Sequence, residues 1–306
     1  MKIKPWYCIL LLIMSSATFG QTNKIIKKGN IVYGSVSNLA LLMDVYQPER
    51  SNNKAIIFIH GSAWGYVYPK GYEQPQLKED YNTDTSYGGK WVRSLLQKGY
   101  SVFVINHRFV PQFQFPEIFA DCQRAVRFVR YHAKEYNIDP AHIGAMGHSS
   151  GGNLSAMLGV ADGIKPGAKG IDSLSASVQA VVTLATPFDL ADINKPEDSA
   201  VDRSFVLSVV NAYLGGLPGI DGNGGFVSNQ KSAAASPPYH VTKDDAPMLI
   251  YYSDDDPVIP VRHQISMYNK LKETGVPVKL VERKNQGHGP MPDMEEVDTW
   301  FKQHLK

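Results

Sequence analysis

Short apolar segments rich in branched residues alternate along this chain with longer segments of helical periodicity. The strand-like segments lie at residues 31–36, 39–46, 55–59, 101–105, 143–146, 178–184, 248–252 and 278–282. The helix-like segments lie at residues 90–98, 116–136, 152–161, 201–213, 261–274 and 293–305. Because the middle strands are almost uninterrupted apolar runs, helices should cover both faces of their sheet. The alternation predicts an α/β fold with one doubly wound, mostly parallel, eight-stranded sheet, whose first two strands form an antiparallel hairpin.

The first 20 residues have the pattern of a secretory signal peptide. Lys2 and Lys4 precede an apolar stretch at residues 7–14 that is too short to span a bilayer, and small residues follow before Gly20. An uncleaved membrane anchor is the alternative. We expect a signal peptide at residues 1–20, a secreted or periplasmic protein with no stable membrane association after cleavage, and one α/β domain at residues 21–306 rather than two smaller ones.

Charge and cysteine content exclude some kinds of partner. The chain has 31 basic and 29 acidic residues, so removal of the two signal-peptide lysines leaves 29 of each. No lysine or arginine cluster accompanies this balance, which argues against nucleic acid as a partner. Cys122 would be the single cysteine after cleavage, so it cannot form an intrachain disulfide, and a buried thiol is expected.

A Gly-x-Ser-x-Gly pentapeptide, Gly147-His148-Ser149-Ser150-Gly151, joins a predicted strand to a predicted helix. In this setting the pattern predicts a nucleophile elbow, a tight turn that forces the serine to a positive φ. Side chains at the two glycine positions would collide across such a turn. The helix that follows would direct its unpaired N–H groups toward the place where an oxyanion forms. Ser149 is therefore the candidate nucleophile, and His148 is expected to be a neighbouring packing residue.

A serine nucleophile needs a base and a carboxylate, and this architecture places them after later strands in the order Asp, then His. The predicted strand at 248–252 leads into Asp254, Asp255 and Asp256, and the one at 278–282 leads toward His288 between two glycines. We assign Asp256 as the carboxylate, because the Pro that follows it would fix the turn, and His288 as the general base. Asp254 and Asp255 are expected to form a solvated turn that caps the next helix.

The third requirement is a set of N–H donors for the oxyanion. The predicted strand at 55–59 leads into His60-Gly61-Ser62-Ala63-Trp64, and its small residues would let the backbone approach a substrate oxygen. We therefore expect the N–H groups of Gly61, Ser62 and Ser150 to form the oxyanion hole. A simple glycine turn is the alternative for this loop.

Together these motifs resemble the α/β-hydrolase superfamily, specifically its secreted esterases and lipases with an HGGG-type loop. The motifs that carry the resemblance, in chain order, are His60-Gly61-Ser62-Ala63-Trp64, Asn106-His107-Arg108-Phe109, Phe115-Pro116 with Asp121, the Gly147–Gly152 elbow, Ala235-Ser236-Pro237, Asp256-Pro257-Val258 and Gly287-His288-Gly289. Within the superfamily the chain looks most like carboxylesterases related to bacterial feruloyl and acetylxylan esterases and to arylformamidases. Ser62 and Ala63 depart from the pattern, because they replace two glycines.

The resemblance implies hydrolysis of carboxylic esters through an acyl-enzyme, without a cofactor or metal. The substrate would be a small-molecule or polysaccharide-linked ester. The added volume of Ser62, Ala63 and Trp64 should restrict the acyl group to a short one. A serine peptidase, an arylformamidase and a non-catalytic binding module are the alternatives on the same fold.

Two further segments carry weaker signals. Asp221-Gly222-Asn223-Gly224-Gly225 imitates the start of a calcium loop, but the twelfth position is Ser232 instead of a bidentate acid, so no metal is expected. A segment rich in aromatic residues runs from Trp64 to Tyr87. It could line a substrate pocket or form an exposed loop.

Overall fold

The structure is a computed structural model that describes residues 24–36, 38–66, 88–161, 168–193, 203–215 and 230–306. The predicted signal peptide, the calcium-like segment at 221–225 and residues 67–87 of the aromatic segment lie outside the described residues.

The strands form one eight-stranded sheet in the order β1-β2-β4-β3-β5-β6-β7-β8. They are β1 (Ile25–Val36), β2 (Leu39–Pro48), β3 (Ala55–Ile59), β4 (Ser101–Ile105), β5 (Ile143–His148), β6 (Ala180–Leu184), β7 (Met248–Ser253) and β8 (Val278–Arg283). The α-helices are α1 (Gly89–Gln97), α2 (Glu117–Tyr131), α3 (Ser150–Val160), α4 (Arg203–Leu214), α5 (Gln230–Ala234), α6 (Val261–Thr274) and α7 (Met294–His304).

The predicted fold class is confirmed. Strands β4, β3, β5, β6, β7 and β8 pair in parallel. The hairpin of β1 and β2 is antiparallel and joins β4 at one edge. β1 begins six residues before its predicted start at Ile31, with Ile25 opposite Pro48. Its first half is mostly exposed, and its two apolar residues, Ile25 and Ile26, are followed by Lys, Lys, Gly and Asn, so no long apolar run marks it in the sequence.

Helices cover both faces of the sheet, as predicted. Along β3, Ile57 packs into the cluster that includes residues of α2, α3 and α6. Its neighbours Ile56 and Phe58 point to the other face, where the cluster includes residues of α1 and α7. This alternation is the period of two that a strand imposes on its side chains. Cys122, on α2, is buried, as expected.

Element ends and one short helix differ from the prediction. α2 ends at Tyr131 instead of residue 136, and the chain continues in turns through Asn137, which has a positive φ of 49°. The five-residue helix α5 was not predicted, because it is too short to show a periodicity. α3 begins at Ser150, directly after the candidate nucleophile, which brings its first N–H groups next to that serine.

Candidate active site

Ser149 lies at the sharp turn between β5 and α3, with φ 52° and ψ −124°. The positive φ agrees with the predicted elbow. A Cβ added to Gly147 would lie 2.2 Å from the carbonyl oxygen of Gly151, which is the predicted collision across the turn. A Cβ on Gly151 would instead meet the carbonyl oxygen of Ile59 at 2.1 Å. The second glycine is therefore required by close packing against β3, and not by the turn itself.

The structure brings Ser149, His288 and Asp256 into one hydrogen-bonded chain. His288 Nε2 lies 2.9 Å from Ser149 Oγ. Its Nδ1 lies 2.9 Å from Asp256 Oδ2 and 3.0 Å from Oδ1. Because a carboxylate only accepts, Nδ1 carries the proton, and Nε2 of the neutral ring is free to accept the hydroxyl proton of Ser149. This arrangement can generate an oxygen nucleophile.

Asp256 is fixed by its own turn. Its Oδ1 accepts hydrogen bonds from the backbone N–H groups of Val258 at 2.8 Å and Ile259 at 3.0 Å. The side chain is 3% exposed, so these bonds and the one from His288 replace the water that a buried carboxylate loses. The turn after β7 therefore aims Asp256 inward, in the direction that the sequence predicted.

Asp254 and Asp255 lie in an exposed turn, as expected, but the prediction that they cap the next helix was wrong. Neither caps α6, whose first turn has no side-chain cap. Asp254 instead accepts from the backbone N–H of Asn285 at 2.9 Å, and Asp255 accepts from Gly287 at 2.8 Å. The bond from the His288 loop (residues 285–289) is the main cause that lowers the pKa of Asp254. The pKa of Asp255 is lowered mainly by the hydrogen bond from the Ser253 hydroxyl and next by the bond from the His288 loop. Only the folded chain brings the two loops together, so no local sequence pattern marks this contact.

His148 has a more specific place than the packing role expected for it. Its Nε2 lies 2.6 Å from the backbone carbonyl oxygen of His288, and the two imidazole rings are 5.0 Å apart. Since a carbonyl only accepts, Nε2 of His148 must carry a proton. Burial, and then the nearby charge of His288, lower the pKa of His148 to about 4. The ring is therefore neutral near pH 7.

The candidate oxyanion residues Gly61, Ser62 and Ser150 line the same cavity as Ser149. A Cβ on Gly61 would lie 2.5 Å from His148 Nδ1, so only glycine fits this close approach. The backbone N–H of Ser62 donates to Ser150 Oγ at 3.1 Å. Ser62 Oγ in turn accepts from the N–H of Gly65 at 3.1 Å. The 60–64 loop (residues 60–64) is thus fastened both internally and to the start of α3.

Ala63, which replaces a glycine of the family pattern, and Trp64 both have positive φ values, 49° and 55°. Non-glycine residues pay a steric cost in this region, and such residues concentrate at functional sites. The indole of Trp64 stacks on Tyr213 of α4, with ring centroids 4.2 Å apart and an interplanar angle of 9°. The departure from glycine is thus accommodated in a left-handed turn that packs Trp64 against α4.

Beside Ser149 lies a cavity of about 200 Å³ with a largely apolar wall. Its apolar lining residues include Trp64, Pro187, Ile193, Phe205, Val206, Val209, Val210, Val258 and Ile259. Four of these side chains come from α4. No motif of the sequence assigns α4 to the site. Its segment is apolar on more than one face, however, which is unusual for a helix that covers a sheet on one side.

Comparison with known proteins places this arrangement in a family. A family model described as BD-FAE matches residues 43–271. The chain belongs to the BD-FAE family. A solved structure described as a truncated form of a carbohydrate esterase from gut microbiota is 27% identical, with a TM-score of 0.72, over 94% of this chain and 98% of that one.

Two further relatives of the BD-FAE chain are more distant. An acetyl ester-xyloside bifunctional hydrolase from Caldicellulosiruptor lactoaceticus is 22% identical with a TM-score of 0.67, over 90% of this chain and 93% of that one, which shows a shared fold. The probable carboxylic ester hydrolase LipM of Mycobacterium tuberculosis is 22% identical over 80% of this chain and 52% of its own length. The chain spans about half to three fifths of the curated relatives matched first.

In this BD-FAE chain a buried ion pair stabilises a segment that contacts the 60–64 loop. The guanidinium of Arg108 donates to Asp121 through Nε at 2.9 Å and Nη2 at 2.9 Å, and the Arg108 backbone N–H also donates to Asp121 at 2.9 Å. Two residues later, the N–H of Val110 donates to the carbonyl of Trp64 at 3.2 Å. The pairing of Arg108 with Asp121 thus fixes the segment that contacts the backbone of Trp64.

Among the described residues of the BD-FAE chain, no group of three or more His, Cys, Asp or Glu side chains is arranged to hold a metal ion. Within the same parts of the chain, none of the helices has the length and apolar character needed to cross a bilayer.

Proposed function

We propose that this chain is a serine carboxylesterase that uses Ser149, His288 and Asp256 as a catalytic triad. The observation that carries the proposal is the hydrogen-bonded chain in which His288 contacts Ser149 Oγ at 2.9 Å and Asp256 at 2.9 Å. Membership of the BD-FAE family and the carboxylic ester hydrolases among its relatives support ester hydrolysis over peptide hydrolysis.

In the proposed mechanism, His288 accepts the proton of Ser149 as its oxygen attacks the ester carbonyl. Asp256 holds the imidazole in the tautomer that this step requires and stabilises the imidazolium. The N–H groups of Gly61 and Ser150 stabilise the tetrahedral oxyanion, and that of Ser62 joins them only by sharing its hydrogen bond to Ser150 Oγ. His288 then protonates the leaving alcohol, and water repeats the sequence to release the acid.

The proposed substrates are short-acyl or aryl carboxylic esters, which could be linked to a polysaccharide. The apolar cavity of about 200 Å³ next to Ser149 suits an uncharged acyl or aryl group. The structural relatives described as a carbohydrate esterase and as an acetyl ester-xyloside hydrolase support a sugar on the alcohol side. Secretion or export through a signal peptide at residues 1–20 is part of the same proposal, and the basic start and short apolar stretch of the sequence support it.

The test is a hydrolysis panel with the purified protein. It should contain p-nitrophenyl acetate, acetylated xylan, methyl ferulate, N-formylkynurenine and a peptide p-nitroanilide, each measured with and without EDTA. We expect cleavage of the acetyl or feruloyl ester, unaffected by EDTA, and no activity with Ser149→Ala. Preference for N-formylkynurenine would indicate an arylformamidase, and preference for the anilide would indicate a peptidase. Absence of any hydrolysis together with no labelling of Ser149 by a fluorophosphonate would indicate a binding protein.

A further inference from the structure

We propose that His148 and Ser150, the two neighbours of Ser149, are positioning residues. In this proposal His148 fastens the His288 loop, and Ser150 fastens the 60–64 loop, to the turn that carries the nucleophile. The proposal rests on the proposed function, because it concerns how Ser149 is aligned with its base and with its oxyanion donors.

His148 contacts His288, the residue that must be aligned with Ser149. Its Nε2–H donates to the backbone carbonyl of His288 at 2.6 Å, while the side chain of His288 reaches Ser149 at 2.9 Å. Ser149 follows His148 directly in the chain. Base and nucleophile are therefore joined in a closed ring that contains the His148–Ser149 peptide bond, the imidazoles of His148 and His288, and two hydrogen bonds. A shift of the His288 loop away from Ser149 would have to break the bond from His148.

The surroundings of His148 favour the neutral ring that this role needs. His60 and His288 lie nearby, and each would repel a proton on His148, whereas Asp256 would attract one. Burial outweighs this attraction. Nδ1 faces Gly61 so closely that a Cβ added to Gly61 would lie 2.5 Å from it, which leaves no space for any other residue there. The ring is thus held between the two loops in one orientation, with Nε2–H directed at the His288 carbonyl.

Ser150 makes the corresponding contact on the other side of Ser149. Its hydroxyl oxygen accepts the backbone N–H of Ser62 at 3.1 Å, and the residue is 1% exposed. The bond is partly buried at the cavity wall, and its loss would leave the Ser62 N–H without the acceptor that holds the 60–64 loop to α3. Within the described parts of the chain the backbone N–H of Ser150 has no acceptor, so it is available for the oxyanion, and the side chain and the main chain of one residue serve different purposes.

The test for His148 compares His148→Leu, which removes the donor, with His148→Gln, which keeps an N–H donor at similar reach. Misplacement of about 1 Å can lower rates about 100-fold, so we expect His148→Leu to lose about 10- to 100-fold in kcat on p-nitrophenyl acetate with little change in KM. His148→Gln should recover a substantial part of the loss. His304→Leu is the matched control, because residue 304 ends α7, next to Leu305, which accepts from Lys54 just before β3, at the end of the parallel strands opposite to Ser149.

The test for Ser150 compares Ser150→Ala with Ser150→Thr. Both keep the backbone N–H, and only Thr keeps the hydroxyl. We expect Ser150→Ala to lower kcat about tenfold, as misplacement of one loop should, and Ser150→Thr to retain more activity. If the hydroxyl instead competed with the substrate for the Ser62 N–H, Ser150→Ala would be faster than wild type, which would overturn this half of the proposal.

Failure of this proposal can be separated from failure of the proposed function. If wild-type protein hydrolyses p-nitrophenyl acetate and a fluorophosphonate labels Ser149, the esterase function holds. Equal kcat values for wild type, His148→Leu and Ser150→Ala would then refute the positioning roles. Loss of activity in His148→Leu that His148→Gln fails to recover would also refute the role of the donor. Melting temperatures of all variants exclude losses due to unfolding.

Discussion

Asp255 accepts a hydrogen bond from the backbone N–H of Gly287 at 2.8 Å, so the residue next to Asp256 holds the loop on which His288 is carried. Asp254 does the same at Asn285, and the Ser253 hydroxyl accepts from Gln286 at 2.9 Å. The end of β7 therefore supplies both the carboxylate that contacts the imidazole and the acceptors that place the backbone behind it. The three consecutive aspartates thus have two tasks. Asp256 contacts the imidazole of His288, and Asp254 and Asp255 hold the backbone of its loop.

These two tasks should separate by mutation. Asp256→Asn should lower kcat/KM by about 10³-fold or more, because it favours the wrong imidazole tautomer and removes a charge. Asp255→Ala should lower it far less, about tenfold, since it only loosens the loop. Asp255→Asn keeps an acceptor and should fall between Asp255→Ala and wild type. Steady-state kinetics on p-nitrophenyl acetate measure all three, and a larger loss at Asp255 than at Asp256 would contradict the assignment.

Ser149→Ala should lower kcat by about 10³-fold or more, as loss of one member of such a triad does. The melting temperature of the variant should lie within a few degrees of that of wild type. Neither Ser nor Ala has a branched side chain that would raise the steric cost of the positive φ at position 149. A fluorophosphonate should add its mass to the peptide with Ser149, and mass spectrometry should find Ser150 unmodified. Half of the wild-type activity in a folded Ser149→Ala protein would rule out this nucleophile.

Gly61→Ala should abolish most activity without unfolding the protein. The new Cβ would lie 2.5 Å from His148 Nδ1, so the 60–64 loop or the imidazole must move, and a shift of about 1 Å can cost about 100-fold in rate. Gly170→Ala is the contrasting control. A Cβ there meets nothing within 4 Å, but φ is 61°, so it should cost about 1 kcal/mol of stability and leave kcat/KM intact. Kinetics and urea unfolding of both variants distinguish these outcomes.

The free energy of unfolding should fall as the pH is lowered from about 6.5 to about 4. This fall should be larger than the one that protonation of the carboxylates alone would cause. Burial lowers the pKa of both His60 and His148 to about 4, whereas unfolded histidines have a pKa of about 6.5. Between these values the unfolded chain binds protons that the folded chain excludes, so the free energy of unfolding rises with pH by up to about 1.4 kcal/mol per unit for each histidine. Urea unfolding from pH 4 to 8 measures this slope. His148→Gln should show a shallower slope, and an unchanged slope would contradict the burial of a neutral ring.

Acyl preference should follow the volume of the cavity beside Ser149. Each methylene buried against the apolar wall contributes about 0.8 kcal/mol, so kcat/KM should rise about fourfold per carbon until the cavity is filled and then fall. We expect the maximum at a short p-nitrophenyl ester within the series C2 to C12. Val209→Phe adds volume to the wall and should move the maximum to a shorter chain. A maximum at C8 or longer in wild type would contradict the short-acyl proposal.

The fold could be predicted because its central strands are marked by local composition. β3 and β4 begin and end where their apolar runs do, and the parallel order follows from strands that alternate with helices. β1 extends further than predicted because its outer half is stabilised by pairing with β2, and such pairing leaves no apolar signal in the sequence.

The order of the motifs along the chain indicates six candidate site residues. In the structure five of them line one cavity, namely Gly61, Ser62, Ser149, Ser150 and His288, and the sixth, Asp256, contacts His288. Their catalytic roles stay predictions, as does the signal peptide. What the sequence could not supply were contacts between loops far apart in the chain, such as Asp255 with Gly287 and Ser62 with Ser150. The tautomer and orientation of His148 likewise depend on the His288 carbonyl, which is 140 residues away in the chain.

The wall that α4 contributes to the cavity has an evolutionary consequence. Phe205, Val206, Val209 and Val210 belong to a segment between β6 and β7 that carries none of the candidate catalytic residues. The glycines of the elbow, by contrast, tolerate no added carbon. Drift in α4 can therefore diversify the esters that are accepted while the chemistry stays intact. The helix is the natural target for mutant libraries. Related chains that hydrolyse different esters should differ in this helix first.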